Sequence, residues 1–392
     1  MNIKDKQHYL TLDSFRGICA CLVALSHFNA NSLLSNTPLL DYAAIYVDFF
    51  FVLSGFVIFA NYGERLREGY SKAKFIFLRF GRLYPLHFFV LMAFIAVDLV
   101  QVLIPSEGLS LYRPFSAPGE GIGDIAANLF LVHSLHVSEH LAFNGPSWSI
   151  STEFYTYILF AFILGYAGKY YRIAVVTIGL ASAVVLFLLY GNLYAKLNYG
   201  FLRCVFGFAC GAMTYELFSE KKIKFNSFLA SGKKAGFIEC AVFICALVYI
   251  LLFSAGALSM FAPLVFGAVI FVFAFEKGFI SEFMKCKLFL FLGALSYSIY
   301  MNHMFISGKI FAFPARLIEK FTGWQITMPG KGGYPVFGPD IVTGTLIEIV
   351  YLLVVIGFSF ATFKLIEEPC RNWSRRVANR KAHIGSPEFS KA

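Results

Sequence analysis

Stretches of about twenty apolar residues recur along this chain from its N-terminal region to its last thirty residues, and they limit the fold more than any other feature. A helix rises 1.5 Å per residue, so about twenty residues cross the ~30 Å hydrocarbon layer of a bilayer. Ten such runs lie near 12–31, 42–61, 83–104, 148–167, 172–190, 199–218, 236–254, 257–275, 288–307 and 341–363. The composition points the same way. Charged residues make up 14% of the chain, against about 25% in a soluble domain. The expectation is an all-α fold, a polytopic transmembrane bundle of about ten spans. The first run has no small-residue cleavage site after it and reads as a retained helix. Most of the eight cysteines fall inside apolar runs, without the spacing of a disulfide framework.

The formal charge of +10 would suggest nucleic acid in a soluble protein. Here its placement argues for topology, and no nucleic-acid partner is expected. With the N-terminus inside, the segments that face the cytoplasm hold twenty-five Lys and Arg and the outer segments six. That bias places both termini in the cytoplasm, with the chain in the cell inner membrane. Two long outer segments, 105–147 and 308–340, are rich in Gly and Pro and carry Tyr112, Phe115, Trp324 and Tyr334. Within the first, Ile125–Ser134 suggests a short interfacial helix. A membrane domain at 9–374 and a short basic tail at 375–392 complete the division, so any chemistry has to sit in the membrane unit and its loops.

Ionisable side chains in hydrocarbon are costly and face a cavity or a partner. Arg16 and His27 share the first run, eleven residues apart, which is about 16 Å along a helix and about 20° in direction. Both therefore look onto one groove, Arg16 toward the inner side and His27 toward the outer. Snorkelling to the headgroups accounts equally well for Arg16 taken alone. Glu153 follows Trp148 near the outer end of the fourth run, where a carboxylate can orient His27 or act as the acid–base group itself. Arg79 and Arg82, three apart, form a basic collar with Lys72 and Lys74 at the inner face. Such a collar binds anionic lipid or clamps phosphate. Asp48, Arg203, Asn302 and His303 are candidates for a supporting polar core. No P-loop, HExxH motif or nucleophile elbow is present, and no metal is implied.

These residues stand in a familiar order. Leu12-Asp-Ser-Phe-Arg-Gly17 is followed by His27, then Phe49-Phe-Phe-Val-Leu-Ser-Gly-Phe56 and Arg79-Phe-Gly-Arg-Leu-Tyr-Pro85. Pro146-Ser-Trp-Ser-Ile-Ser-Thr-Glu-Phe-Tyr155, Leu292-Gly-Ala-Leu-Ser-Tyr-Ser-Ile-Tyr-Met-Asn-His303 and Leu365-Ile-Glu-Glu-Pro369 come next. The chain resembles the acyltransferase-3 family of bacterial integral-membrane O-acyltransferases over roughly residues 9–374. It departs in the Ser-Phe pair before Arg16 and in Met301-Asn302 before His303. The resemblance implies transfer of an acyl group, commonly acetyl, from cytoplasmic acetyl-CoA to a hydroxyl of an envelope or exported carbohydrate. It implies His27 and Glu153 as catalytic residues, with Arg16, Arg79 and Arg82 holding the donor. His27 acts as general base, or takes the acyl group itself. Two rivals fit spans and buried charge alone: a transporter or flippase of a glycan intermediate, and a lipid-binding scaffold.

Overall fold

The computed structural model describes residues 8–103, 115, 119–330 and 335–383. Helix dominates because a backbone in lipid has no water to bond and must satisfy its polar groups internally. The principal helices are α1 (Leu10–Ser26), α2 (Tyr46–Ile58), α3 (Lys72–Val102), the short α4 (Ile122–Leu129), α5 (Trp148–Tyr166), α6 (Tyr171–Tyr190) and α7 (Gly200–Phe228). After them come α8 (Gly232–Phe253), α9 (Ala262–Phe273), α10 (Lys287–Phe305), α11 (Phe313–Thr322), α12 (Ile341–Thr362) and α13 (Glu368–His383). A hairpin of β1 (Thr327–Pro329) and β2 (Pro335–Phe337) lies between α11 and α12.

Every one of the ten apolar runs contains one of these helices. Among the described residues, eight helical segments are long and apolar enough to cross a membrane. The runs that fall outside those eight are α1 and α5, seventeen and nineteen residues long. They carry Asp13, Arg16 and Glu153, and they sit at the centre of the bundle.

The boundaries moved in two informative places. The first run ends as helix at Ser26, not at 31. His27 leaves the helical conformation (φ −98°, ψ 6°), and the chain beyond it joins the hairpin. Asn31 N–H donates to the Phe337 carbonyl and Phe337 N–H donates to the Asn29 carbonyl, both at 2.9 Å. The third run starts at Lys72, eleven residues early, because Ser71 caps it by accepting from the Lys74 N–H at 3.2 Å. Pro85 sits inside this helix. Arg79 and Arg82 are therefore well inside a helix and not at its mouth.

The described parts of the two Gly- and Pro-rich segments, 105–147 and 308–340, hold more regular structure than that content suggests. The expected interfacial helix is α4, and it stops at Leu129. A π-type turn over His133–Val137 follows, with His136 at φ +66°. Tyr112, Arg113, Lys331 and Tyr334 lie outside the described residues. At the other end, α13 carries helix through the start of the basic tail to His383.

Two glycine contacts set the central helices. A Cβ on Gly17 of α1 would lie 2.4 Å from the Gly293 nitrogen of α10, and one on Gly293 would lie 2.3 Å from the Asp13 carbonyl oxygen. A Cβ on Gly55 of α2 would lie 2.1 Å from the Phe208 carbonyl oxygen of α7. Backbones packed this closely need small residues at the crossing. Gly55, within the Phe49–Phe56 motif, makes this approach possible.

Candidate active site

Five helices, α1, α2, α3, α5 and α10, surround one cavity. Its lining includes Arg16, Ser54, Arg79, Arg82, Glu153 and Tyr300. Its volume is about 90 Å³, against about 300–1,000 Å³ for an ordinary ligand pocket, so this is a slot and not a chamber. The spacing of Arg79 and Arg82 places them on one face of α3, and that face turns inward.

Each arginine is held differently. Arg16 Nε donates to Ser296 Oγ at 2.7 Å and Nη2 to the Gly293 carbonyl at 3.0 Å, with Asp13 at 3.2 Å. It crosses to α10 and does not snorkel. Arg79 is buried, with its guanidinium over the rings of Tyr62 at 5.2 Å and Phe75 at 5.8 Å. Its Nε has no hydrogen-bond partner among the described residues, an unmet donor beside the slot that costs free energy while it stays empty. Arg82 lies within electrostatic reach of Tyr157, Glu367, Glu153 and Asp13. Glu153 accepts from both Ser54 Oγ and the Tyr157 hydroxyl.

The histidine end is separate from Glu153. His27 Nδ1 lies 2.8 Å from the Val23 carbonyl, and its ring stands 5.1 Å, centroid to centroid, from that of His303. His303 is fully buried, and its Nδ1 lies 3.3 Å from the Ile299 carbonyl. Tyr300 connects the two ends. Its ring is 5.9 Å from His303 and lines the slot, and its hydroxyl lies 2.8 Å from Ser149 Oγ. The orienting contact expected between Glu153 and His27 is not made. Glu153 turns toward α2 and the arginines, while His27, just past the end of α1, turns toward α10. The expectation that Arg16 and His27 share a direction does hold: both face α10.

The supporting residues resolve into two groups. Asp48 and Arg203 form a fully buried pair, Nε to Oδ1 at 2.9 Å and Nη2 to Oδ2 at 2.7 Å. Arg203 also donates to the Ala44 carbonyl at 2.8 Å and lies 5.3 Å over the Trp148 ring. Asn302 ties α10 to α12 through Thr362 Oγ1 at 2.8 Å. The pair and the amide hold helices together around the slot, and neither lines it.

Four further residues belong to the site: Ser54, Tyr157, Tyr300 and Glu367. Ser54 and Tyr300 lie inside the quoted motifs, so a signal existed. Glu367 comes from Leu365-Ile-Glu-Glu-Pro369. It is buried, accepts from Ser298 Oγ at 2.8 Å and faces Arg82.

Residues 9–364 match the family model described as an acyltransferase domain. The chain is 33% identical over 159 residues to protein 2 in the picA locus of Rhizobium radiobacter, covering 39% of this chain and 81% of that protein. It is also 33% identical over 151 residues to the acyltransferase MdmB of Streptomyces mycarofaciens, covering 36% of this chain and 34% of that one. No solved structure matches.

Proposed function

From the premise that the chain belongs to this acyltransferase family and is a multi-pass membrane enzyme, we propose that it moves an acetyl group from acetyl-CoA to a hydroxyl of an envelope or exported carbohydrate. The membrane would be the cell inner membrane, with the donor entering from the cytoplasm. One observation carries this reading. Arg16, Arg79, Arg82 and Glu153, drawn from three helices, line a single slot, and Tyr300 in its wall packs 5.9 Å from His303, whose ring stands 5.1 Å from that of His27.

The arginine end suits a phosphate-bearing donor, because guanidinium forks match phosphate oxygens and bind them by charge-assisted hydrogen bonds. The orphaned Arg79 Nε is a donor waiting for such an oxygen. In this reading the nucleotide stays at the mouth of the slot and the extended arm carries the thioester inward. Glu153, clamped by Ser54 and Tyr157, offsets part of the charge of Arg82.

At the other end His27 is the base. A carbonyl can only accept, so the Val23 contact fixes the proton on Nδ1 and leaves the lone pair on Nε2. His27 is exposed, which lets an acceptor hydroxyl reach it. Removal of the hydroxyl proton by Nε2 makes the oxygen a nucleophile toward the thioester carbon, provided the two come within about 3–3.5 Å.

The test uses protein reconstituted in liposomes with labelled acetyl-CoA and an extracted envelope glycan. Wild type should transfer label, and His27→Ala should lose at least 100-fold in kcat. Arg82→Lys should raise the donor KM about tenfold with a smaller change in kcat, since an ammonium cannot fork. Full transfer by folded His27→Ala would remove His27 from the chemistry.

A further inference from the structure

The two imidazoles at the outer end are related in a way that the base assignment alone does not use. His303 Nδ1 faces the Ile299 carbonyl at 3.3 Å. By the same reasoning as for His27, its proton sits on Nδ1 and its lone pair on Nε2. That Nε2 is buried with no hydrogen-bond partner among the described residues. A buried acceptor left empty costs free energy. The adjacent ring, His27, also offers a lone pair at Nε2, so in the resting enzyme neither nitrogen satisfies the other. Ring nitrogens lie about 1.1 Å from their centroids, so with 5.1 Å between centroids two of them approach to about 2.9 Å when both rings turn a nitrogen onto the line of centres, the length of an N–H···N bond once one carries a proton.

The spacing is built in. Gly17 and Gly293 press α1 against α10. The Tyr351 hydroxyl of α12 bridges the two helices at the level of the rings, 3.1 Å from the Ala24 carbonyl and 3.2 Å from the His303 carbonyl. Ser307 Oγ of the segment after α10 donates to the His27 carbonyl at 3.4 Å. Lys196, on the loop before α7, lies within electrostatic reach of His27. A cation there opposes a positive charge held on His27 alone and favours moving that charge toward His303.

We propose that His303 is the proton-sharing partner of His27, its Nε2 accepting the N–H that His27 gains when it deprotonates the acceptor. This rests on the reading of His27 as base. The hydroxyl hydrogen passes to His27 Nε2, the acceptor oxygen bonds to the acyl carbon, and the C–S bond breaks with its electron pair on sulfur. The imidazole pair carries the proton in the interval and returns it to the thiolate, so the transfer is neutral overall. The empty acceptor on His303 is filled only while His27 is charged. Its stabilisation therefore falls on the transition state and not on the resting enzyme. His303 acts through His27 and is a positioning residue.

Two variants test this, His303→Leu, which fills the space without an acceptor, and His303→Gln, whose carbonyl can accept. Both are assayed in liposomes as above, with thermal unfolding in detergent as the control for folding. His303→Leu should lose about 100-fold or more in kcat with donor KM within threefold, and His303→Gln should recover at least tenfold of that loss. Equal turnover by the two variants, or near-wild-type turnover by His303→Leu, would overturn the proposal. A second readout needs no substrate: 15N-histidine NMR of the wild type in micelles across acidic pH. The Nε2 resonances of His27 and His303 should move together as one proton is taken up. Movement of His27 alone, with His303 unchanged, would overturn the sharing. Wild-type protein that transfers no label would count against the donor or the acceptor named above, and the NMR result would still decide the pair.

Discussion

The Asp48–Arg203 pair shows how single residues hold this bundle. Both side chains are fully buried and joined by two parallel hydrogen bonds, so each is tolerable only because the other is present. Removing one partner leaves an uncompensated charge, at a cost of about 3–5 kcal/mol. Asp48→Asn and Arg203→Leu should each lower the unfolding temperature in detergent and reduce membrane yield. The double replacement Asp48→Leu with Arg203→Leu should be more stable than Arg203→Leu alone, which a double-mutant comparison of thermal midpoints will read. At this scale the sequence was informative about which residues matter. An Arg, Asp, Glu or His inside an apolar run is conspicuous: Arg16, Arg79, Arg82 and Glu153 line the slot, Asp48 and Arg203 brace it, and His27 and His303 form the separate histidine end. It was silent on Tyr157, because a neutral hydroxyl is ordinary among membrane helices. Pairing was harder still. Glu153 and His27 are both ionisable and both belong to outer halves of runs, yet they face different helices, and rotation about a helix axis is not written in hydropathy.

Among the elements, α1 and α5 reverse the usual relation between apolarity and burial. The most apolar helices, such as α6 and α8, stand largely exposed in the described structure, as lipid-facing helices do. The short, polar ones sit inside. A window of hydropathy finds both kinds but cannot place them. It also overran α1, since Phe28 and Ala30 extend the apolar pattern past His27 while Asn29 and Asn31 pair their backbone with the β hairpin. The α1–α10 contact is what the site depends on. Gly17→Ala puts a methyl group 2.4 Å from the Gly293 nitrogen, so the helices must separate or shear. Turnover should fall at least tenfold, with a lower unfolding temperature. Gly256→Ala serves as a comparison: it has open space around its Cβ but φ +55°, and it should cost stability with little change in kcat.

For the whole molecule, the charge bias of the loops predicts sidedness that the fold allows to be checked segment by segment. The described cysteines are all free, so a cysteine-depleted background is the starting point. Single cysteines placed at Lys222 and Lys277 should react with a membrane-impermeant maleimide only after the cell is opened. One at Trp324, exposed between α11 and the hairpin, should react in intact spheroplasts. The opposite pattern would reverse the orientation, and with it the side from which the donor enters. The legible part here was that the chain is a polytopic bundle of apolar helices. The order in which they pack was not, because it is decided by side chains such as Asp48, Arg203 and Asn302 that tie distant runs together.

The narrow slot has one more consequence. An enzyme that takes its donor from one face of a membrane and its acceptor from the other, as proposed, risks short-circuiting the potential across it. The three guanidinium groups that line the cavity would repel hydronium and metal cations, as fixed positive charge does in selective pores. The arginines proposed to bind the donor would thereby also act as electrical insulation.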